Sequence, residues 1–140
     1  MKPTLLKGNA YCDVRGNLLY NNTFDSSAVK RMYVIQNNSL DILRGWQGHK
    51  IEQRWFSAVH GSFYIQLMKI DNWDLPSKKL VCKEFMISNK TLDVLHVPNG
   101  YVSCIQAIEE GSRLLVMSDY LMGEIADEYR FGLKYFDNQS

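Results

Sequence analysis

The stretch Gln53-Arg54-Trp55-Phe56-Ser57-Ala58-Val59-His60-Gly61-Ser62-Phe63-Tyr64-Ile65-Gln66-Leu67-Met68 decides the fold class. Its second half alternates apolar and polar side chains and is rich in aromatic and β-branched residues, the period of a strand with one buried face. Gly61 breaks the run where a tight turn belongs, so residues 53–60 and 62–68 are expected to pair as a hairpin. Working outward, residues 31–35, 80–87, 92–97, 101–108 and 113–118 repeat the pattern. Asn37-Asn38, Ser88-Asn89, Pro98-Asn99-Gly100 and Glu110-Gly111 punctuate them as turns, the middle pair of strands again as a hairpin. Many short strands with almost no helical period predict an all-β sandwich or closed barrel. Residues 124–129 are expected to form a short helical turn. The tail beyond Phe131 is expected to be peripheral, with Asp137-Asn138-Gln139-Ser140 frayed.

The 140 residues fit one domain spanning the chain, with a core from about residue 9 to 131. With 46% hydrophobic and 22% charged residues the composition is neither disordered nor membrane-like. A net charge of +1 from scattered basic residues gives no footprint for nucleic acid. The opening Met1-Lys2-Pro3-Thr4-Leu5-Leu6-Lys7-Gly8 has too short an apolar run for a signal core or a membrane helix, so the expected compartment is the cytoplasm. Cys12, Cys82 and Cys104, odd in number and without repeated spacing, argue against a disulfide framework or a Cys-x-x-Cys zinc site. They read as small apolar side chains.

Two patches have the spacing of the paired motifs of cupin barrels. In the first, Gly45 leads into Trp46-Gln47-Gly48-His49, Arg54 follows, and Gly61 closes a turn. Cupin metal sites carry two histidines, a glutamate and a turn glycine in this order, and here Gln47, His49, Arg54 and Gly61 stand in those places. In the second, Ser103 stands where the remaining histidine would follow Gly100. The fold implied is a double-stranded β-helix, or jelly roll. The ligand set is not kept: one imidazole, one amide, one guanidinium and one hydroxyl make no tight transition-metal site, and a fixed cation repels a metal ion. No metal and no cofactor are expected.

Gln47 and His49 are two apart on one strand and face the same way. With Arg44 and Arg54 they form a polar, partly cationic floor in the barrel. Two readings stand. The floor holds a ligand, its arginines suited to a diphosphate, or it is an internal salt-bridge network with acidic strand residues such as Glu52.

The chain resembles the sugar-nucleotide isomerase cupins, the WxcM-like dTDP-4-oxo-6-deoxyglucose 3,4-ketoisomerases and the dTDP-4-dehydrorhamnose 3,5-epimerases, from about residue 13 to 131. The resemblance is carried by Asp13-Val14-Arg15-Gly16-Asn17-Leu18, Val29-Lys30-Arg31-Met32-Tyr33-Val34-Ile35, Arg44-Gly45-Trp46-Gln47-Gly48-His49-Lys50, Val59-His60-Gly61-Ser62-Phe63, Val97-Pro98-Asn99-Gly100 and Ser118-Asp119-Tyr120. It implies a homodimer of jelly rolls that binds a dTDP-linked 4-keto-6-deoxyhexose and transfers a proton next to the ketone. In that picture Arg15 reaches across the dimer to the nucleotide and Arg44 lies near the sugar or phosphates. Gln47, Arg54 and Ser103 contact substrate, and His49 and Tyr120 are the catalytic candidates. The epimerases' base falls at Gln47, and an amide accepts no proton at neutral pH. The alternative is therefore a sugar-nucleotide-binding cupin that has lost catalysis. His60 is read as facing water, His96 as facing water or else lining the pocket, and Trp46, Trp55 and Trp73 as structural or, for one of them, a stacking platform for thymine.

Overall fold

The computed structural model describes residues 1–137. They form twelve strands and no helix: β1 (Thr4–Leu6), β2 (Asn9–Asp13), β3 (Gly16–Tyr20), β4 (Arg31–Ile35), β5 (Arg44–His49), β6 (Arg54–His60), β7 (Ser62–Lys69), β8 (Cys82–Ser88), β9 (Val94–Val97), β10 (Tyr101–Ala107), β11 (Arg113–Ser118) and β12 (Tyr129–Arg130). Ten of them build two antiparallel five-stranded sheets, in the orders β1-β9-β6-β11-β4 and β12-β5-β10-β7-β8, while β2 and β3 pair apart as a hairpin. This is the jelly roll the spacing implied.

Strand alternation explains where the core sits. Phe56 and Ala58 of β6, Leu114 and Val116 of β11, Phe63, Ile65 and Leu67 of β7, and Ile105 and Ala107 of β10 meet between the sheets. Each large side chain removed from water there contributes about 2 kcal/mol. The intervening residues face outward yet are also covered. Trp55 and Met117 pack under Leu6, Phe24 and Val29, and Val102, Cys104 and Trp46 pack under Phe136. The chain ends thus seal the outer faces of both sheets. The tail beyond Phe131 is for this reason not peripheral. Phe136 is 3% exposed and meets Trp46 edge-on at 5.7 Å. Of the frayed end expected at residues 137–140, Asp137 donates its backbone N–H to Lys78 O at 2.8 Å and is not frayed, and 138–140 lie outside the described residues.

Two turns differ from expectation. β6 pairs with β11 and β9, whereas β7 pairs with β10 and β8. Gly61 therefore passes the chain from one sheet to the other and makes no hairpin. Its φ of +72° suits glycine, and a Cβ there would lie 2.0 Å from Ser112 Oγ. Pro98-Asn99-Gly100 likewise joins β9 of the first sheet to β10 of the second. The expected helical turn at 124–129 is an irregular loop ending in β12.

Candidate functional site

The barrel is apolar at one end and polar at the other. The polar end holds inward residues of four strands: Arg31 and Tyr33 of β4, Arg54 of β6, Gln47 and His49 of β5, and Ser103 of β10. The pairing fixes their relative places, because Arg31 and Arg54 both stand opposite Ser118, and Gln47 stands opposite Ser103. Arg44 joins them through an irregularity. From Ser103↔Gln47 to Ile105↔Arg44, β5 spends one residue more than β10. Such a bulge re-aims a side chain. It brings Arg44 to the wall of the cavity, where strict alternation from Gln47 would have turned it outward. Gly45 is needed there, since a Cβ would sit 2.8 Å from Cys104 Cβ and Sγ.

These residues line an inner cavity of about 380 Å³, with Tyr33, Arg44, Gln47, His49, Arg54, Tyr101, Ser103 and Arg130 as its polar lining and Phe56, Val97 and Ile105 behind them. A wider groove of about 960 Å³ adjoins it, between Arg31–Tyr33 and the 121–129 segment, and shares Tyr33, Gln47, His49 and Arg54 with it. The structure thus brings together five of the seven site residues read from sequence: Arg44, Gln47, His49, Arg54 and Ser103. The other two lie outside both linings. Arg15 sits at the exposed β2–β3 turn with its guanidinium 2.6 Å from Asp13. Tyr120 lends its backbone oxygen to Arg31 Nε at 3.2 Å and carries Lys30 over its ring.

His49 is almost fully buried. Its Nδ1 is 3.0 Å from the backbone oxygen of Asp127. A carbonyl only accepts, so Nδ1 carries the hydrogen and Nε2 keeps the lone pair in the neutral ring. Burial, and then the Arg54 cation, hold the imidazole below its ordinary pKa. The ring is therefore neutral at neutral pH and able to accept a proton at Nε2.

Arg54 realises the salt-bridge reading of the floor, though it also lines the cavity. Its Nη1 donates to Glu52 Oε1 at 2.9 Å and to Ser118 Oγ at 2.5 Å, and Ser118 Oγ donates to Glu52 at 2.7 Å. Arg31 approaches the same oxygen at 3.8 Å. Burial pushes the Glu52 carboxyl up, but the bonds from Arg54 and Ser118 pull it further down, so the net direction is below its ordinary range.

Asp127 was not foreseen. Buried, it accepts the backbone amides of Lys50, Ile51 and Glu52 at 2.8 to 3.0 Å. No local sequence signal marks it, because its partners lie more than seventy residues away. Glu128 is the second unforeseen member: its carboxylate accepts Gln47 Nε2 at 2.5 Å.

Among the described residues one group has metal-type donors, His49, Glu52 and Asp127, with an atom of each within 4.8 Å of the others. His49 Nδ1, Glu52 Oε1 and both Asp127 carboxylate oxygens are spent on the bonds just given, and the Arg54 cation stands beside them. The donor set does not suit a metal ion.

His96 is corrected: it is half-buried rather than facing water. It lies 2.7 Å from Gln53 Oε1 and stacks on Trp55 at 5.3 Å, on the face of the sheet away from the cavity. His60 is exposed, as read. Trp46 and Trp55 are buried in the outer packing, and Trp73 lies tilted against the rings of Tyr129 at 4.7 Å and Phe131 at 6.4 Å.

The fold is shared with solved sugar-nucleotide enzymes. The 3,4-ketoisomerase QdtA of Thermoanaerobacterium thermosaccharolyticum, solved with TDP, superposes with a TM-score of 0.72 at 24% identity over 97% of this chain and 93% of that one. The TDP-quinovose 3,4-ketoisomerase WlaRB of Campylobacter jejuni gives 0.69 at 20% identity over 97% and 98%. The dTDP-4-dehydrorhamnose 3,5-epimerase of Bacillus anthracis gives 0.70 at 14% identity over 89% and 76%. These are all cupin barrels, and so is this chain. A search of the curated proteins found no match. The family model "FdtA: WxcM-like, C-terminal" matches residues 1–131. That span takes in both sheets, the cavity and the polar floor, and on it the chain belongs to the WxcM-like C-terminal family.

Proposed function

We propose that the protein is a sugar-nucleotide 3,4-ketoisomerase that acts on a dTDP-linked 4-keto-6-deoxyhexose. The observation that carries the reading is His49. It is a buried imidazole held neutral, with one nitrogen fixed by a backbone carbonyl and the other able to take a proton, in the wall of a cavity with arginines around it. A general base must have its proton-accepting atom fixed before its pKa matters, and both conditions support this assignment. The fold neighbours support the substrate class, since a ketoisomerase of this fold has been crystallised with TDP-4-keto-6-deoxyglucose.

In this reading Arg44 pairs with the diphosphate, as an exposed guanidinium on the cavity rim tied among the described residues to Asn37 Oδ1. Arg54 spends Nη1 on Glu52 and Ser118 and offers its remaining N–H groups to the oxyanion formed at the ketone. Ser103 and Gln47 hold sugar hydroxyls. Arg15 reaches the nucleotide of a partner copy in a homodimer, working in the cytoplasm. Tyr120 lies outside both linings, and this reading assigns it no step. Epimerisation is disfavoured because the amide of Gln47 stands in for its base.

A second reading keeps the nucleotide site and drops the chemistry, and Gln47 is the observation in its favour. Two measurements separate them. Thermal unfolding with dTDP, against UDP as control, tests binding. A ligand at a hundred times its Kd adds about 2.7 kcal/mol, a rise of roughly 9 °C for a chain of this length. Turnover of dTDP-4-keto-6-deoxyglucose, followed by NMR in D2O, tests catalysis. A shift with conversion supports the isomerase. A shift without conversion or exchange leaves the binding protein, and no shift with either nucleotide refutes both.

A further inference from the structure

Gln47 occupies the place of a proton-transfer group without being able to act as one, yet it is bonded to a residue that can. Its Nε2 donates to Glu128 Oε1 at 2.5 Å. Glu128 directly precedes β12, whose pairing of Tyr129 with Gly48 and Arg130 with Gln47 holds it against β5. Arg130 Nη2 also reaches Oε1, at 3.3 Å. Both bonds fall on the same oxygen, so Oε2 has no partner among the described residues. The side chain is half-exposed, and it lines the groove that also contains His49, Arg54 and Tyr33.

We propose that Glu128, held in the groove by Gln47 and Arg130, is a second catalytic group that carries the hydroxyl proton between the two sugar oxygens while His49 carries the carbon-bound proton. The inference rests on the isomerase reading of the preceding section and assigns its second proton transfer.

The step balances as follows. His49 Nε2 takes the proton from C3. The C3–H electron pair becomes the C3–C4 double bond, and the electrons of the C4–O double bond move onto O4. Glu128 then takes the proton from the C3 hydroxyl, and the new C3–O double bond pushes electrons back through C4. C4 takes the proton from His49, and O4 takes the proton from Glu128. Both side chains end as they began, and the ketone has moved from C4 to C3. No oxidant or further reactant is needed. A carboxylate can accept and return a proton where the amide of Gln47 cannot.

Glu128→Gln tests this, because it keeps the shape and an acceptor for Gln47 while removing the proton carrier. Wild type and variant are incubated with dTDP-4-keto-6-deoxyglucose in D2O, and NMR follows product and deuterium entering at C3. The inference expects the variant to keep binding dTDP and to keep exchanging at C3, because the first step uses His49 and Arg54 and not Glu128. Its product formation falls by about 100-fold or more, the usual worth of a positioned proton-transfer group. A residue with a merely structural role would lower exchange and turnover together. Turnover within about threefold of wild type would overturn the inference and leave the isomerase reading standing, as would loss of exchange and turnover in parallel with dTDP still bound. A wild-type protein that neither exchanges nor converts would overturn the reading beneath it as well. Gln47→Leu provides a second check: it leaves the carboxylate in place without its holder, and a turnover loss smaller than that of Glu128→Gln, with C3 exchange retained, is expected.

Discussion

Replacing Glu52 by Ala should be among the most damaging single changes in the protein. The carboxylate takes Arg54 at 2.9 Å and Ser118 at 2.7 Å, with Arg31 at 3.8 Å and His49 Nδ1 at 3.5 Å. Arg54 is 6% exposed, so truncating Glu52 leaves a guanidinium in the barrel with no carboxylate to answer it. Breaking a buried pair from one side costs about 3–5 kcal/mol. At about 2.1 cal/mol/K of unfolding entropy per residue, a chain of this length loses roughly 10–17 °C in Tm. Circular dichroism melts of wild type, Glu52→Ala and Glu52→Ala/Arg54→Met measure it. The double variant removes both charges and keeps apolar volume, so it should recover most of the loss, because an ion pair and a well-packed apolar substitute are often close in free energy. A drop below about 3 °C for Glu52→Ala, or a double variant no better than the single, would refute the claim that Arg54 is compensated by Glu52.

The remaining expectations concern the site and its supports. Activity should rise with pH through the titration of His49, with a midpoint below 6.5 because burial and Arg54 disfavour the imidazolium; a midpoint above 6.5 in the kcat/KM profile would contradict a neutral buried ring. The same depression makes the unfolded chain bind the proton more readily, so the contribution of His49 to stability is present above pH 6.5 and lost as pH falls below it. Urea midpoints of wild type and His49→Gln across pH 5 to 8 should therefore converge at the acid end. Arg44→Ala should leave Tm nearly unchanged, since the side chain is exposed, yet weaken dTDP about tenfold or more, as loss of a charged hydrogen bond does; calorimetric titration giving an unchanged Kd would remove Arg44 from the diphosphate. Phe136→Ala should cost about 3 kcal/mol through the cavity left against Trp46, and a melt within 2–3 °C of wild type would return the tail to the periphery.

How far the sequence discloses this molecule depends on whether its physics is local. Seven strands announce themselves by their apolar and aromatic runs, and in β6, β7, β10 and β11 burial against the facing sheet selects those side chains. The β2–β3 hairpin gives no such signal. Tyr11, Val14 and Leu18 are exposed, so no face is selected for and nothing in the pattern marks Asn9–Asp13 or Gly16–Tyr20 as a strand. A tight turn states that the chain reverses but not which strand lies alongside. Gly61 and Gly100 accordingly read as hairpin turns, whereas each carries the chain from one sheet to the other.

The site divides the same way. Gln47 and His49 can be placed together from strand period alone, and Ser103 by the spacing of the second cupin motif. Arg44 reached the cavity through a bulge that alternation does not foretell. Glu52, which balances Arg54, is legible as an acidic partner for the floor, whereas Asp127, whose backbone oxygen fixes the His49 tautomer, and Glu128, which answers Gln47, are the least legible. Asp127 and Glu128 lie in the irregular 121–128 segment, where neither periodicity nor turn chemistry constrains a side chain. Their meaning comes only from what the closed barrel sets opposite them. Judging this floor by its own strand alone leads to the conclusion that a missing base means missing chemistry. With the 121–128 segment in place, the amide at 47 becomes the holder of a carboxylate, and the proton carrier has moved to the facing loop.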